Sequence, residues 1–225
     1  MDYWELKTVK MFQRVCFKII LLLLVIATTA CEQQEQGLPY YNTPDFTPMF
    51  LSGEEADEKI THVLTDFSLM NQYGKKVTLK NVEDKIHVAD FFFTGCGSIC
   101  PRMTNNLKKI QDAFEGDTNV VLLSYSVTPW KDDVNRLKQY AEEYEIGPQW
   151  HLLTGSKNVI YTLARQSYFA EEEFGYSRDS SEFLHTEHVL LIDSHKRIRG
   201  IYNGTLSYDM EQLKNDILAL KDEEK

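Results

Sequence analysis

The run Ile86-His87-Val88-Ala89-Asp90-Phe91-Phe92-Phe93 is nearly continuous in apolar residues, and Val120–Val127 repeats the pattern. Runs of this length without alternation suit strands buried on both faces, as in parallel sheets covered by helices. Between them Met103, Leu107, Ile110 and Phe114 recur at spacings of three and four. That stripe predicts a helix from about Cys96 to Phe114. Two buried strands around an amphipathic helix commit the chain to a layered α/β architecture.

The rest of the chain fills in that architecture. Phe67–Met70 and Val77–Leu79 flank the turn Asn71-Gln72-Tyr73-Gly74 and predict a hairpin. Helices are expected over about 131–145, 157–167 and 207–221, and a short strand over Trp150–Leu153. Val189–Ile192 and Ile198–Tyr202 predict a closing hairpin across Asp193–Lys196. A chain of 225 residues holds one such domain with appendages, and no internal repeat is present.

The appendages lie at the N-terminus. Residues 1–18 carry Lys7, Lys10, Arg14 and Lys18, and Ile19–Ala27 is an apolar run of nine. Nine residues are too few to span a bilayer, which takes about 20, but they match the core of a signal peptide. Thr28-Thr29-Ala30 before Cys31 resembles a bacterial lipobox, with Thr28 where an aliphatic residue is usual. The expectation is a leader over 1–30, a lipid on Cys31, and the rest outside the cytoplasm on a membrane. An uncleaved anchor with an incidental cysteine is the alternative, with the same placement. Residues 31–60 read as a tether, polar at first, then dense in Pro39, Pro44 and Pro48. Tyr40, Tyr41, Phe46 and Phe50 suggest that its second half rests on the domain. The net charge is -10, and the excess of acid is larger once the basic leader is set aside. With no basic patch, nucleic-acid binding is not expected.

Apart from Cys16 and Cys31, the cysteines are Cys96 and Cys100, in Cys96-Gly97-Ser98-Ile99-Cys100-Pro101. A disulfide, a redox couple and a metal site are the uses open to such a pair. Cys96 follows a buried strand where a helix begins, and free amide groups at a helix start favour thiolate. A loop this short constrains the unfolded chain weakly, which argues against a purely structural disulfide. Two thiolates and an imidazole suit copper in either oxidation state, whereas structural zinc needs a fourth ligand. The histidines past the leader are His62, His87, His151, His185, His188 and His195. His87 reads as a packed core residue and His195 as a solvated hairpin tip, while His62 and His151 have no evident role. Phe183–His188 precedes a strand on the side where loops surround the site, and spacing leaves His185 and His188 both open.

The string from Asp90 to Pro101 resembles the Sco family, copper chaperones for assembly of cytochrome c oxidase. Leu69–Leu79, Ser126-Val127-Thr128-Pro129 and Trp150–Ser156 resemble further family elements, so the likeness spans about residues 61–222. It implies a thioredoxin-like fold with a central mixed sheet, flanking helices and an N-terminal hairpin extension. It also implies His185 as third copper ligand, delivery to the copper-site subunit of the oxidase, and a thiol reductant that keeps the pair reduced. Gly97 replaces a common proline. Thr128 stands where the family has an aspartate, which puts any role of that acid here in doubt.

The competing reading is a metal-free thiol–disulfide oxidoreductase. Asp90, six residues before Cys96, has the spacing of the buried carboxylate of thioredoxins. Three residues between the cysteines rather than two, and no proline after Pro148, count against it. A peroxiredoxin fits less well, because the setting of Cys96 and Cys100 lacks the peroxidatic pattern.

Overall fold

A computed structural model describes residues 37–170 and 186–225. Nine strands form one mixed sheet in the order β2-β1-β9-β8-β5-β6-β7-β3-β4. They are β1 (Tyr40–Tyr41), β2 (Pro48–Met49), β3 (Ser68–Asn71), β4 (Lys76–Thr78), β5 (Ile86–Phe92), β6 (Val120–Ser126), β7 (Trp150–Thr154), β8 (His188–Ile192) and β9 (Ile198–Asn203). The helices are α1 (Gly53–Lys59), α2 (Ile99–Ala113), α3 (Val134–Glu143), α4 (Lys157–Thr162) and α5 (Ser207–Glu223). This is the expected thioredoxin-like sandwich, with β5, β6 and β7 parallel and β8 antiparallel to β5.

Every residue of β5 and β6 is buried, as the continuous apolar runs require. Alternation divides them between two cores. Ala89, Phe91, Leu123 and Tyr125 face one cluster with Tyr168. Val88, Phe92 and Leu122 face the other, with Met103, Leu107 and Ile110 of α2 and Leu213 and Ile217 of α5. At the β3–β4 turn the Asn71 carboxamide accepts from the amides of Tyr73 and Lys75 at 3.0 and 2.9 Å. Gly74 supplies the left-handed residue there, with φ 68°.

Residues 40–59, expected within a tether, extend the sheet and add a helix. β1 pairs with β2 and, at Tyr41↔Ile198, with β9. Ser52 and Glu55 close a capping box on α1. The extension is fastened at Arg199, which is 3% exposed. Its guanidinium donates to the carbonyls of Pro39 at 3.1 Å and Leu38 at 2.8 Å, and to Glu223 at 2.6 Å. It also lies 3.7 Å from buried Asp193 and 3.9 Å from the Tyr40 ring centroid.

Removing one partner of a buried ion pair leaves the other charge uncompensated. Arg199→Met is therefore expected to cost about 3 kcal/mol in urea unfolding, and to open the bond between Tyr40 and Tyr41 to limited proteolysis. Unchanged stability and protection would refute the fastening role.

Candidate metal centre

β5 ends at Phe92, and the chain turns through Thr94 and Gly95, with the Cys96 amide donating to the Phe93 carbonyl at 3.2 Å. The predicted helix starts later than its sequence suggests. α2 begins at Ile99, so Cys96 stands in the turn ahead of it and Cys100 in its first turn. The two residues still meet, because the Cys100 amide donates to Cys96 Sγ at 3.4 Å. Pro101 sits in the first helical turn, where amide groups have no intrahelical acceptor.

The thiols are free and unlike each other. Partial burial works to raise the Cys96 pKa, but the amides of Cys100, Ser98 and Ile99, with the Cys100 thiol, outweigh it and hold the pKa below its usual value. Cys100 is 3% exposed. Burial, with the neighbouring Cys96 and Asp90, pushes its pKa up to about 12. Cys96 is thus the more accessible and more acidic thiol, and Cys100 the covered one.

Beneath Cys100 lies a buried polar chain. Trp150 Nε1 donates to Ser124 Oγ at 2.8 Å, and the Ser124 hydroxyl donates to Asp90. Burial pushes the Asp90 carboxyl up to about 7, against the downward pull of the Ser124 hydrogen bond. Ser124 and Trp150 were not singled out in the sequence. They reach Asp90 only through the parallel pairing Asp90↔Ser124 and Ser124↔Leu152.

The histidines separate by place. His87 is 1% exposed in the middle of β5, and burial lowers its pKa to about 3, so it is the neutral core residue expected. His62 bonds the Ser167 carbonyl at 2.8 Å and stacks on Phe169. His151 faces Asn71, with burial lowering its pKa. His195 is exposed. His188 opens β8 with its ring 6.2 Å from that of Phe46, which packs on the core cluster of Phe91 and Tyr168. That is the sheet face opposite α2. His185 and Cys31 lie outside the described residues. Thr186 leads into β8, and Val189 pairs with Asp90, so the chain after His185 joins the sheet at the end where β5 leaves for Cys96.

A second feature escaped sequence reading. The Asp132 carboxylate is buried, accepts the Thr94 hydroxyl at 2.6 Å and the Thr94 amide at 3.2 Å, and ties down the turn ahead of Cys96. No periodicity or motif announces it, because Thr94 and Asp132 meet only when the ends of β5 and β6 lie side by side.

The Asp90 pKa fixes a pH dependence. An unfolded aspartate titrates near 3.8 and the folded one near 7, so between these values the native chain holds a proton that the unfolded chain has released. Stability from this group is full below about pH 4, falls as pH rises to about 7, and is level beyond. Asp90→Asn is expected to remove that slope in denaturant titrations from pH 4 to 8. An unchanged slope would place the titration elsewhere.

Residues 55–221 match the SCO1/SenC family. A solved SCO1/SenC family lipoprotein from Bacillus anthracis is 28% identical, covering 72% of this chain and 96% of that one with a TM-score of 0.63. BsSco, described as a member of the Sco family of cytochrome c oxidase assembly proteins and the bearer of a disulfide switch, is 28% identical. That match covers 71% of this chain and 93% of BsSco, with a TM-score of 0.60. ScoI of Arabidopsis thaliana with copper bound is 27% identical over 71% of this chain and 99% of that one, with a TM-score of 0.55. Matched from α1 into α5, and folded like its solved relatives, the chain belongs to the SCO1/SenC family.

Proposed function

We propose that this protein is a membrane-anchored, extracytoplasmic copper carrier that delivers copper to the copper-site subunit of cytochrome c oxidase. The observation that carries the reading is the paired thiols Cys96 and Cys100, one more acidic and one covered, at the sheet end where β8 begins shortly after His185. Two sulfurs and an imidazole form a soft donor set that suits copper(I) and tolerates copper(II). Copper is the cargo here, and the related ScoI of Arabidopsis thaliana holds it. In this reading His185 is the third ligand. The Phe46 contact supports His188 as a packing residue rather than a ligand.

Loading requires both thiols reduced, since a disulfide between Cys96 and Cys100 withdraws both sulfurs from the metal. A thiol reductant is therefore a second partner. The proposed organisation is a leader over 1–30, lipid on Cys31, a short tether ahead of Gly37, and a copper domain over 61–222 that carries residues 40–59 as an extension of its sheet. The lipoprotein character of the Bacillus anthracis relative supports the anchor. Among the described residues no helix is long and apolar enough to cross a membrane.

A second reading rests on one observation. Asp90 is a buried carboxyl beneath Cys100, titrating near neutrality, and it suits proton exchange with a thiol. Thiol reduction of the oxidase site is compatible with copper delivery. A metal-free oxidoreductase is the rival.

Copper titration of the reduced protein with elemental analysis separates them. One copper(I) per chain is expected, with tight binding abolished in Cys96→Ser and in Cys100→Ser. His185→Ala should weaken binding about tenfold or more and change the copper(II) absorption bands, while His188→Ala binds normally. Normal binding by His185→Ala would overturn its assignment. Strong insulin reduction without copper uptake would favour the rival.

A further inference from the structure

The turn that carries Cys96 rests on the core at Phe93, Cys96 and Ile99 but is open at its glycines. A methyl group added at Gly97 would meet nothing within 4 Å, and one at Gly95 only the edge of Phe93 at 3.9 Å. Beside the turn is a cavity of about 270 Å³ lined by Phe93, Thr94, Gly95, Thr128, Lys131, Asp132 and Arg136. A chain segment between two open glycines and a cavity has room to shift. Packing at Phe93 and Cys96 leaves that room, and hydrogen bonds restrict it.

Those bonds converge on Thr94. Its hydroxyl donates to Asp132 Oδ1 at 2.6 Å and its amide to Oδ2 at 3.2 Å. Arg136 grips the same residue from the other side, with Nε donating to the Thr94 hydroxyl oxygen at 3.0 Å and Nη2 to its carbonyl at 3.5 Å. Asp132 is itself held by the hydroxyls of Ser126 at 2.6 Å and Thr128 at 2.9 Å. One carboxylate, 1% exposed, thus joins the end of β5, the end of β6 and the loop into α3. An acceptor-only group with two oxygens is what these four neutral donors require, and an amide would present N–H groups to some of them. Burying a carboxylate costs solvation, and the four donors that converge on it offset that cost.

We propose that Asp132 is the positioning residue of the metal centre, fixing Cys96 opposite the Cys100 amide through its two bonds to Thr94. This deepens the copper reading and rests on it for the role of Cys96. The geometric claim stands on the metal-free protein. Without the clamp the turn relaxes toward the cavity, and Cys96 loses the amide contacts that stabilise its thiolate. Thr128, which replaces the aspartate of the family stretch, contributes here as a donor to Asp132.

The test uses the reduced full-length protein with two readouts. One is the rate of Cys96 alkylation by iodoacetamide at neutral pH without metal, assigned by peptide mass spectrometry. The other is copper(I) affinity by competition with a chromophoric chelator. Thr94→Val keeps the shape of the residue and loses the hydroxyl, and Asp132→Asn weakens the acceptor. Both should slow alkylation about tenfold, the worth of one hydrogen bond to a charged group, and weaken copper(I) binding alongside. Thr94→Ser restores the hydroxyl and should behave as the parent protein. Ser126→Ala takes a donor from Asp132 without touching Thr94, so it should lower thermal stability while leaving both readouts unchanged. Parental alkylation and affinity in Thr94→Val would overturn the proposal, as would Ser126→Ala reproducing its effect. If the parent protein takes up no copper while the alkylation pattern holds, the copper reading fails and the clamp stands.

Discussion

A strand buried on both faces must end, and at its end the backbone leaves the sheet that satisfied it. β5 meets this just past Phe92, where its pairing with β6 ends and the chain turns at Thr94. The solution is a buried carboxylate from beyond β6, with an arginine completing the set. Everything chemical about the site follows from that junction. It places Cys96 ahead of α2 rather than within it, aims the Cys100 amide at a sulfur, and leaves open space beside Gly95 and Gly97.

The two sulfurs differ because sequence distance along the turn becomes depth in the fold. Cys96 lies where amide groups converge and solvent reaches, and Cys100, in the first turn of α2, is buried in the cluster of Phe92 and Met103. Asp90 and Ser124 share the face of the sheet that Cys100 covers, so burial first, and then the nearby Cys96 and Asp90, discourage the Cys100 thiol from ionising. Cys96 is the more acidic of the two sulfurs, and Cys100 is kept protonated until a guest or an oxidant displaces its proton.

Much of this was legible in the residues. Continuous apolar runs gave β5 and β6, and spacings of three and four gave α2. His87 was recognisable as core because both of its neighbours belong to a buried run. The start of α2 was not legible, since Gly95, Gly97 and Ser98 allow an unwound turn that a pattern of apolar positions does not register. α1 was missed because its seven residues offer only Ala56 to the core, although the Ser52 and Glu55 capping box was in plain view. The orientation of His188 needed the register of β8, where one residue of slippage exchanges the faces. The Thr94–Asp132 bond spans 38 positions, and only the side-by-side ends of two parallel strands bring the partners together.

The Arg199 fastening has a mechanical consequence. Tension on the chain ahead of Gly37 enters at Leu38 and Pro39, whose carbonyls are gripped by a guanidinium backed by Glu223 and Asp193. That grip stands where β9 begins, while the last residue of β9 pairs with His188 at the end nearer the sulfurs. A pull from the N-terminal side is therefore absorbed by α5 and the β8–β9 hairpin base. The delicate turn of Cys96 is shielded from it by the length of the sheet.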